Sequence, residues 1–174
     1  MIESNWRRIA GIHLQDNSEA AAVWAAHDKE TDVVHLYDCC MFRKEVLPVI
    51  ADGLNARGRW IPIAWSKSAD DMSKELLNRG CNMLYAPLID SPAFAEIVSR
   101  EVWERMRTGR FKVDLRLKEW HDEYKGYFKD GNKLPVTGFP LMAATRHAVS
   151  QIAYAKRLQT RKEKPTNYPK LAMI

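Results

Sequence analysis

Three short apolar runs inside the first forty residues limit what this chain can become. Arg8-Ile9-Ala10-Gly11-Ile12-His13-Leu14, Ala20-Ala21-Ala22-Val23-Trp24-Ala25-Ala26-His27 and Asp32-Val33-Val34-His35-Leu36-Tyr37-Asp38 are separated by polar clusters too short to hold a crossover helix. Runs of this length, rich in Val, Ile and aromatic residues, read as consecutive strands of an antiparallel meander. Helical and extended patterns then alternate, so the meander is expected to form half of a mixed sheet.

Beyond the meander, Phe42 to Ala56 carries Val46, Val49, Ile50 and Leu54 at helical spacing, with Gly58 as a stop. Trp60 to Trp65 reads as a buried strand in which Pro62 marks an edge position or an irregular start. Asp70 to Arg79, with Met72, Leu76 and Leu77, is a second helix ended by Gly80, and Asn82 to Tyr85 a further strand. Ser91-Pro92 opens a third helix, with Phe94, Ile97, Val98, Val102 and Met106 as its stripe before Gly109. Phe111-Lys112-Val113 is a brief strand. Leu117 to Phe128 sets Trp120, Tyr124 and Phe128 on one helical face, Asp130-Gly131-Asn132 is a turn, and Leu141 to about Thr160 is a last helix lined by Ala144, Ala148, Ile152 and Ala155.

The chain has 174 residues and is 46% hydrophobic with six Trp, enough for one domain with its own core. No apolar run approaches the roughly 18 residues that span a bilayer, and no signal sequence opens the chain; a cytoplasmic protein without membrane contact is expected. Cys39, Cys40 and Cys81 read as buried free thiols, the adjacent pair pointing to opposite sides of a strand. The net charge of +5 is concentrated beyond Ala155, where Lys156, Arg157, Arg161, Lys162, Lys164 and Lys170 face only Glu163. Residues 1–155 are thus read as the domain and 156–174 as a basic tail, which suits a phosphate backbone or a solvated chain end equally.

Specific stretches carry a resemblance. Gly11-Ile12-His13, Ala20-Ala21-Ala22-Val23, Arg59 to Trp65, Asn82-Met83-Leu84, Arg105 to Val113 and Leu141 to Ala148 occur in that order over residues 7–155. Together they resemble the nuclease domain of the large terminase subunit of tailed bacteriophages, which implies an α/β, ribonuclease H-like fold with helices flanking a mixed central sheet. The family cuts concatemeric phage DNA during packaging. The resemblance implies acidic side chains holding two divalent ions, Mg²⁺ or Mn²⁺, about 4 Å apart, a task for hard carboxylate oxygens.

At the positions where the resemblance puts those acids, this chain has none. The first-strand Gly-x-Asp place is His13. A second acid, in a Pro-His-Asp pattern, maps to Ser66-Lys67-Ser68, and the third, before the Ala-Thr-Arg stretch, maps to Phe139 and Pro140. An imidazole, an ammonium and a proline do not neutralise paired cations. The degenerate positions are therefore His13, Ser68 and Pro140, and the candidate residual acids are Asp16, Asp38, Asp70 and Asp71. His13 with Asp16 and Asp38 is a possible single-ion set, against the plainer reading of a packed histidine. No Gly-x-x-x-x-Gly-Lys-Ser/Thr loop occurs, so ATP is not an expected ligand.

Arg100, Arg105, Arg107, Arg110, Lys112, Arg116 and Lys118 crowd around Phe111. Arg105, Arg107, Arg110 and Lys112, with Arg157, Arg161 and Lys162 of the tail, are the candidate contacts for double-stranded DNA, with surface solvation as the alternative. The Trp60, Trp65, Trp103 and Trp120 set reads as core. Three functions follow: a catalytically silent terminase-nuclease relative that binds DNA or a packaging partner (another terminase subunit or the portal) without a metal cofactor; an active metal-dependent endonuclease with displaced acids; or a structural interaction module.

Overall fold

The computed structural model describes residues 2–14, 20–43, 45–66, 70–87, 91–127 and 138–158. The three opening runs pair as their length and short polar connections suggest: β1 (Arg7–Leu14), β2 (Ala20–Asp28) and β3 (Val33–Phe42) form an antiparallel meander. Three short strands extend it. β4 (Ile63–Trp65) lies parallel to β1, β5 (Met83–Tyr85) parallel to β4, and β6 (Phe111–Val113) parallel to β3, giving the order β5-β4-β1-β2-β3-β6. Only β2 runs against the rest.

Helices cover both faces. On one, α3 (Pro92–Arg107), α4 (Lys118–Tyr127) and α5 (Pro140–Ser150) bury Ile9, Ala21, Val23, Val34 and Leu36 under Val98, Val102, Trp120, Leu141 and Ala144. On the other, α1 (Leu47–Ala56) and α2 (Asp70–Asn78) bury Ala10, Ile12, Ala22 and Trp24 under Ile50, Ala51, Leu54 and Leu76. A bulge between Trp24 and Ala25 lets one extra β3 residue into the ladder, which shifts the alternation of the strand's second half. Cys39 therefore packs against the first core and Cys40 against the second. All three cysteines are free, but only Cys81 is buried; Cys39 and Cys40 are half-buried.

Several boundaries differ from the sequence reading. β3 extends to Phe42, whose ring is buried in the second core, so α1 starts at Leu47 with Pro48 in its first turn, where a missing N–H costs nothing. The core arc of α1 is Ile50, Ala51 and Leu54; Val46, Val49, Leu77 of α2 and Ile97 of α3 are exposed instead of buried. Pro62 precedes an interior strand rather than an edge, and its carbonyl accepts the Ala10 N–H. Of the four tryptophans expected in the core, Trp120 is fully buried, Trp60 and Trp65 are half-buried, and Trp103 is exposed beside the Arg107 guanidinium. The last helix ends at Ser150: a 3-10 turn over Ile152–Tyr154 brings Ala155 into the first core, and Lys156 exchanges both backbone hydrogen bonds with Arg8. The first residue assigned to the tail is thus tied to β1. Phe128, the 130–132 turn and residues 159–174 lie outside the described residues.

Candidate functional site: the β1–α5 contact and the α3 cation band

β1 and β4 run side by side in parallel, with Gly11 opposite Ala64, so His13 and Ser66 sit two residues further along at the same end of neighbouring strands. α5 lies across β1 at very short range. A Cβ on Gly11 would fall 2.0 Å from the Ala144 carbonyl oxygen and 2.7 Å from the Ala148 nitrogen, so only glycine fits there. The Leu141–Ala148 stretch is accordingly a packing device. Ala144 and Ala148 meet the strand; Thr145 accepts the Trp120 indole N–H at 2.9 Å while donating to the Leu141 carbonyl at 2.7 Å; Arg146 donates to the Tyr127 hydroxyl.

His147 was not among the residues singled out from sequence. Its ring stands 5.9 Å from that of His13, centroid to centroid, and its Nδ1 donates to the Ile12 carbonyl at 2.6 Å. Burial, against the help of that hydrogen bond, pushes its pKa down to about 3, with His13 adding a smaller repulsion. His147 is neutral at any ordinary pH. A polar residue amid the alanines of α5 was the one sequence signal that marked it.

Pro140 stands at the first position of α5, where the residue preceding it supplies no side-chain cap. A carboxylate reaches this place from elsewhere. Glu123 of α4 accepts the N–H groups of Leu141 at 2.9 Å and Met142 at 3.2 Å, and burial raises its pKa to about 7 despite those bonds. Sequence proximity to Pro140 gave no hint of it.

The candidate residual acids are engaged elsewhere or fall outside the described residues. Asp38 follows the bulge onto the second-core face, where it accepts from Arg57 Nε at 2.8 Å and Arg57 covers the Trp24 ring at 4.4 Å. That is the face opposite His147. Asp71 is fully exposed on α2, 3.7 Å from Lys74. Asp16, Lys67 and Ser68 lie outside the described residues, as does the side chain of Asp70, which opens α2. Among the described residues, no three His, Cys, Asp or Glu side chains gather as a metal-holding group. A pair of divalent cations needs several anionic oxygens; here the β1 position offers an imidazole whose neighbour has already spent one nitrogen on the backbone. The described residues do not fit a two-ion centre.

The cation band is mostly neutralised. Asp32, in the β2–β3 turn with φ of +53°, accepts from Arg105 at 3.2 Å, Arg110 at 3.2 Å and His27 at 3.0 Å. Burial alone would raise its pKa, but the hydrogen bonds from His27 and Arg105 hold it below the usual range. Arg105 is only 12% exposed and also meets Glu101 at 2.9 Å. Arg107 pairs with Glu104, Arg100 with Glu96 and Arg116 with Asp114. Lys112, Lys118, Lys156 and Arg157 are exposed; Arg161 and Lys162 lie outside the described residues.

Neither a family model nor any curated protein matches the chain by sequence. Solved structures do match by shape. The nuclease domain of the P22 large terminase superposes with a TM-score of 0.80 at 21% identity, covering 90% of this chain and 87% of that one. The large-terminase nuclease domain of bacteriophage SPP1, solved with bound Mn, gives 0.66 at 21% over 85% and 86%. That of thermophilic phage G20c, with bound zinc, gives 0.61 at 16% over 86% and 84%. No helix among the described residues is long and apolar enough to cross a membrane. With sequence identity this low and coverage this high, what the chain demonstrably shares is architecture: it has the ribonuclease H-like fold of the large-terminase nuclease domain.

Proposed function

We propose that this chain acts in DNA packaging as a terminase-nuclease-type domain that binds DNA or a packaging partner and does not hydrolyse DNA through paired divalent ions. The observation that supports the reading is the imidazole pair at β1 and α5: His13 stands where the resemblance puts the first-strand acid, and the neutral, backbone-bound His147 stands behind it. An imidazole, a serine and a proline in place of hard anionic ligands leave the charge of two Mg²⁺ ions uncompensated. In this reading Glu123 serves as a helix cap. Lys112, Arg157, Arg161 and Lys162 are the proposed phosphate contacts, with Arg107 and Arg110 secondary because acids already engage them.

The test is supercoiled-plasmid nicking with Mg²⁺ or Mn²⁺, run beside mobility shift of labelled DNA. The expected result is binding without cleavage, with affinity falling by about 0.9 log units per phosphate contact for each tenfold rise in salt. Nicking that requires Mn²⁺ and disappears in Asp16→Ala or Asp70→Ala overturns the reading in favour of an active nuclease. The neutralised α3 band favours a second reading, a protein-interaction module that does not meet DNA; unchanged mobility of DNA at low salt would establish it.

A further inference from the structure

We propose that the recess between the segment preceding β1 and the β3–β6 edge binds one nucleotide of a single-stranded polynucleotide, the rest of the strand following the cations on either side. The inference rests on the DNA-binding reading above and gives it a surface away from the β1–α5 contact. The recess has a volume of about 310 Å³ and is lined chiefly by Ile2, His35, Tyr37, Lys112, Asp114 and Arg116. That lies at the lower end of small-ligand pockets, which run from about 300 to 1,000 Å³.

Its chemistry alternates rings and cations. Trp6 stacks on His35 with centroids 4.4 Å apart, and Lys112 stands opposite His35 in the parallel β3–β6 register. The Arg8 guanidinium lies 5.4 Å from the centroid of the Tyr37 ring, and Lys156, bridged to Arg8 through both backbone hydrogen bonds, projects on the same side of the sheet. Asp114 is the one acid of the lining, and Arg116 holds it at 2.6 Å. Lys112, Arg8 and Lys156 therefore remain as net positive charge along a path that passes two aromatic faces. Burial and Lys112 keep His35 below its ordinary pKa, so the Trp6–His35 stack is an uncharged aromatic surface beside the Lys112 ammonium.

Rings beside cations fit unpaired bases, because every base has a π-face to stack while its phosphate meets an ammonium or guanidinium. A duplex hides its base faces in the stack and presents phosphates and groove edges instead. The α3 band offers a duplex little better, since its arginines are paired with Glu96, Glu101, Glu104 and Asp32.

The experiment measures anisotropy of labelled oligothymidylate and of a labelled duplex of equal length against the full chain at low salt, with tryptophan fluorescence followed in parallel. The variants are Trp6→Ala, Lys112→Glu and, as a control on α3, Arg100→Glu, an exposed residue outside the proposed phosphate contacts; thermal melting confirms that each folds. The expected result is tighter binding of the single strand, quenched tryptophan emission, and about tenfold weaker binding in Trp6→Ala and in Lys112→Glu but not in Arg100→Glu. Single-strand binding that ignores Trp6 and Lys112, or that falls equally in Arg100→Glu, overturns the recess and leaves the DNA-binding reading standing. A duplex bound more tightly than the single strand also overturns it. No binding of either form overturns both.

Discussion

The β1–α5 contact and the α3–turn junction are opposites in electrostatic design. At the first, a strand and a helix meet closely enough to exclude any Cβ on Gly11, and the polar groups present are two imidazoles, His13 and the buried, neutral His147. At the second, Asp32 gathers two guanidiniums and an imidazole, with Glu101 and Glu104 completing the balance. The sequence suggests a sharper contrast: a centre without its acids at the first and a bare cationic band at the second. Charge written into a chain reaches a ligand only where the fold leaves it uncompensated, and here compensation has been arranged at the band.

The strongest way to break the comparison is to separate α5 from β1. Gly11→Ala places a methyl group against backbone atoms of α5 that have no rotamer to escape into. We expect a loss of about 3 kcal/mol or more, seen as a fall in Tm of about 10 °C, with the secondary structure still recognisable by circular dichroism.

Titration sharpens it next. A buried histidine with a depressed pKa stabilises the fold above its unfolded value of 6.5, and that contribution is lost as pH falls toward about 3. Glu123 has the opposite sign: its raised pKa stabilises below the unfolded value of 4.5, and the contribution is lost as pH rises through about 7. Between 4.5 and 6.5 the unfolded chain holds a proton on His147 that the folded one lacks, and the folded chain holds one on Glu123 that the unfolded one lacks. The two slopes oppose. In His147→Gln, denaturant stability should decline with pH across this window, by up to about 1.4 kcal/mol per unit and less because Glu123 is partly solvated. In Glu123→Gln it should climb instead. Parallel curves for both variants and the parent would show that neither group titrates as its burial requires.

The smallest effect is expected at the junction. Asp32→Asn keeps a residue that tolerates a positive φ while removing the anion shared by Arg105, Arg110 and His27. We expect a cost of about 1–2 kcal/mol in the denaturant midpoint, together with a modest gain in duplex affinity at low salt as Arg110 is released. Unchanged affinity would place those cations away from any bound DNA.

The meander was legible because three short apolar runs rich in Val, Ile and aromatic residues are set apart by polar clusters, and helix ends were legible because Gly58, Gly80 and Gly109 each take the positive φ that stops a helix. What failed depended on neighbours distant in the chain. Val46 and Ile97 match a helical stripe, yet which arc meets the sheet is decided by the partner surface. The small-residue period continues through Ile152 and Ala155, yet α5 stops at Ser150 because the following turn leads into Lys156, which pairs with Arg8. Of the site, the residues His13, Ser68 and Pro140 at the positions where the resemblance puts the acids were readable. The phase shift that turns Asp38 toward Arg57, the histidine behind His13 and the carboxylate at the start of α5 were not, since each requires residues at least eighteen positions apart to meet.

Glu123 has one more implication, for the order in which the domain forms. Helix initiation is the costly step in building any helix, and α5 begins without an acceptor of its own for its leading amides. The segment carrying its borrowed cap emerges from the ribosome earlier, so α4 is already available when α5 is made. α5 excised as a peptide should show little helix, whereas a fragment spanning both segments should nucleate them together.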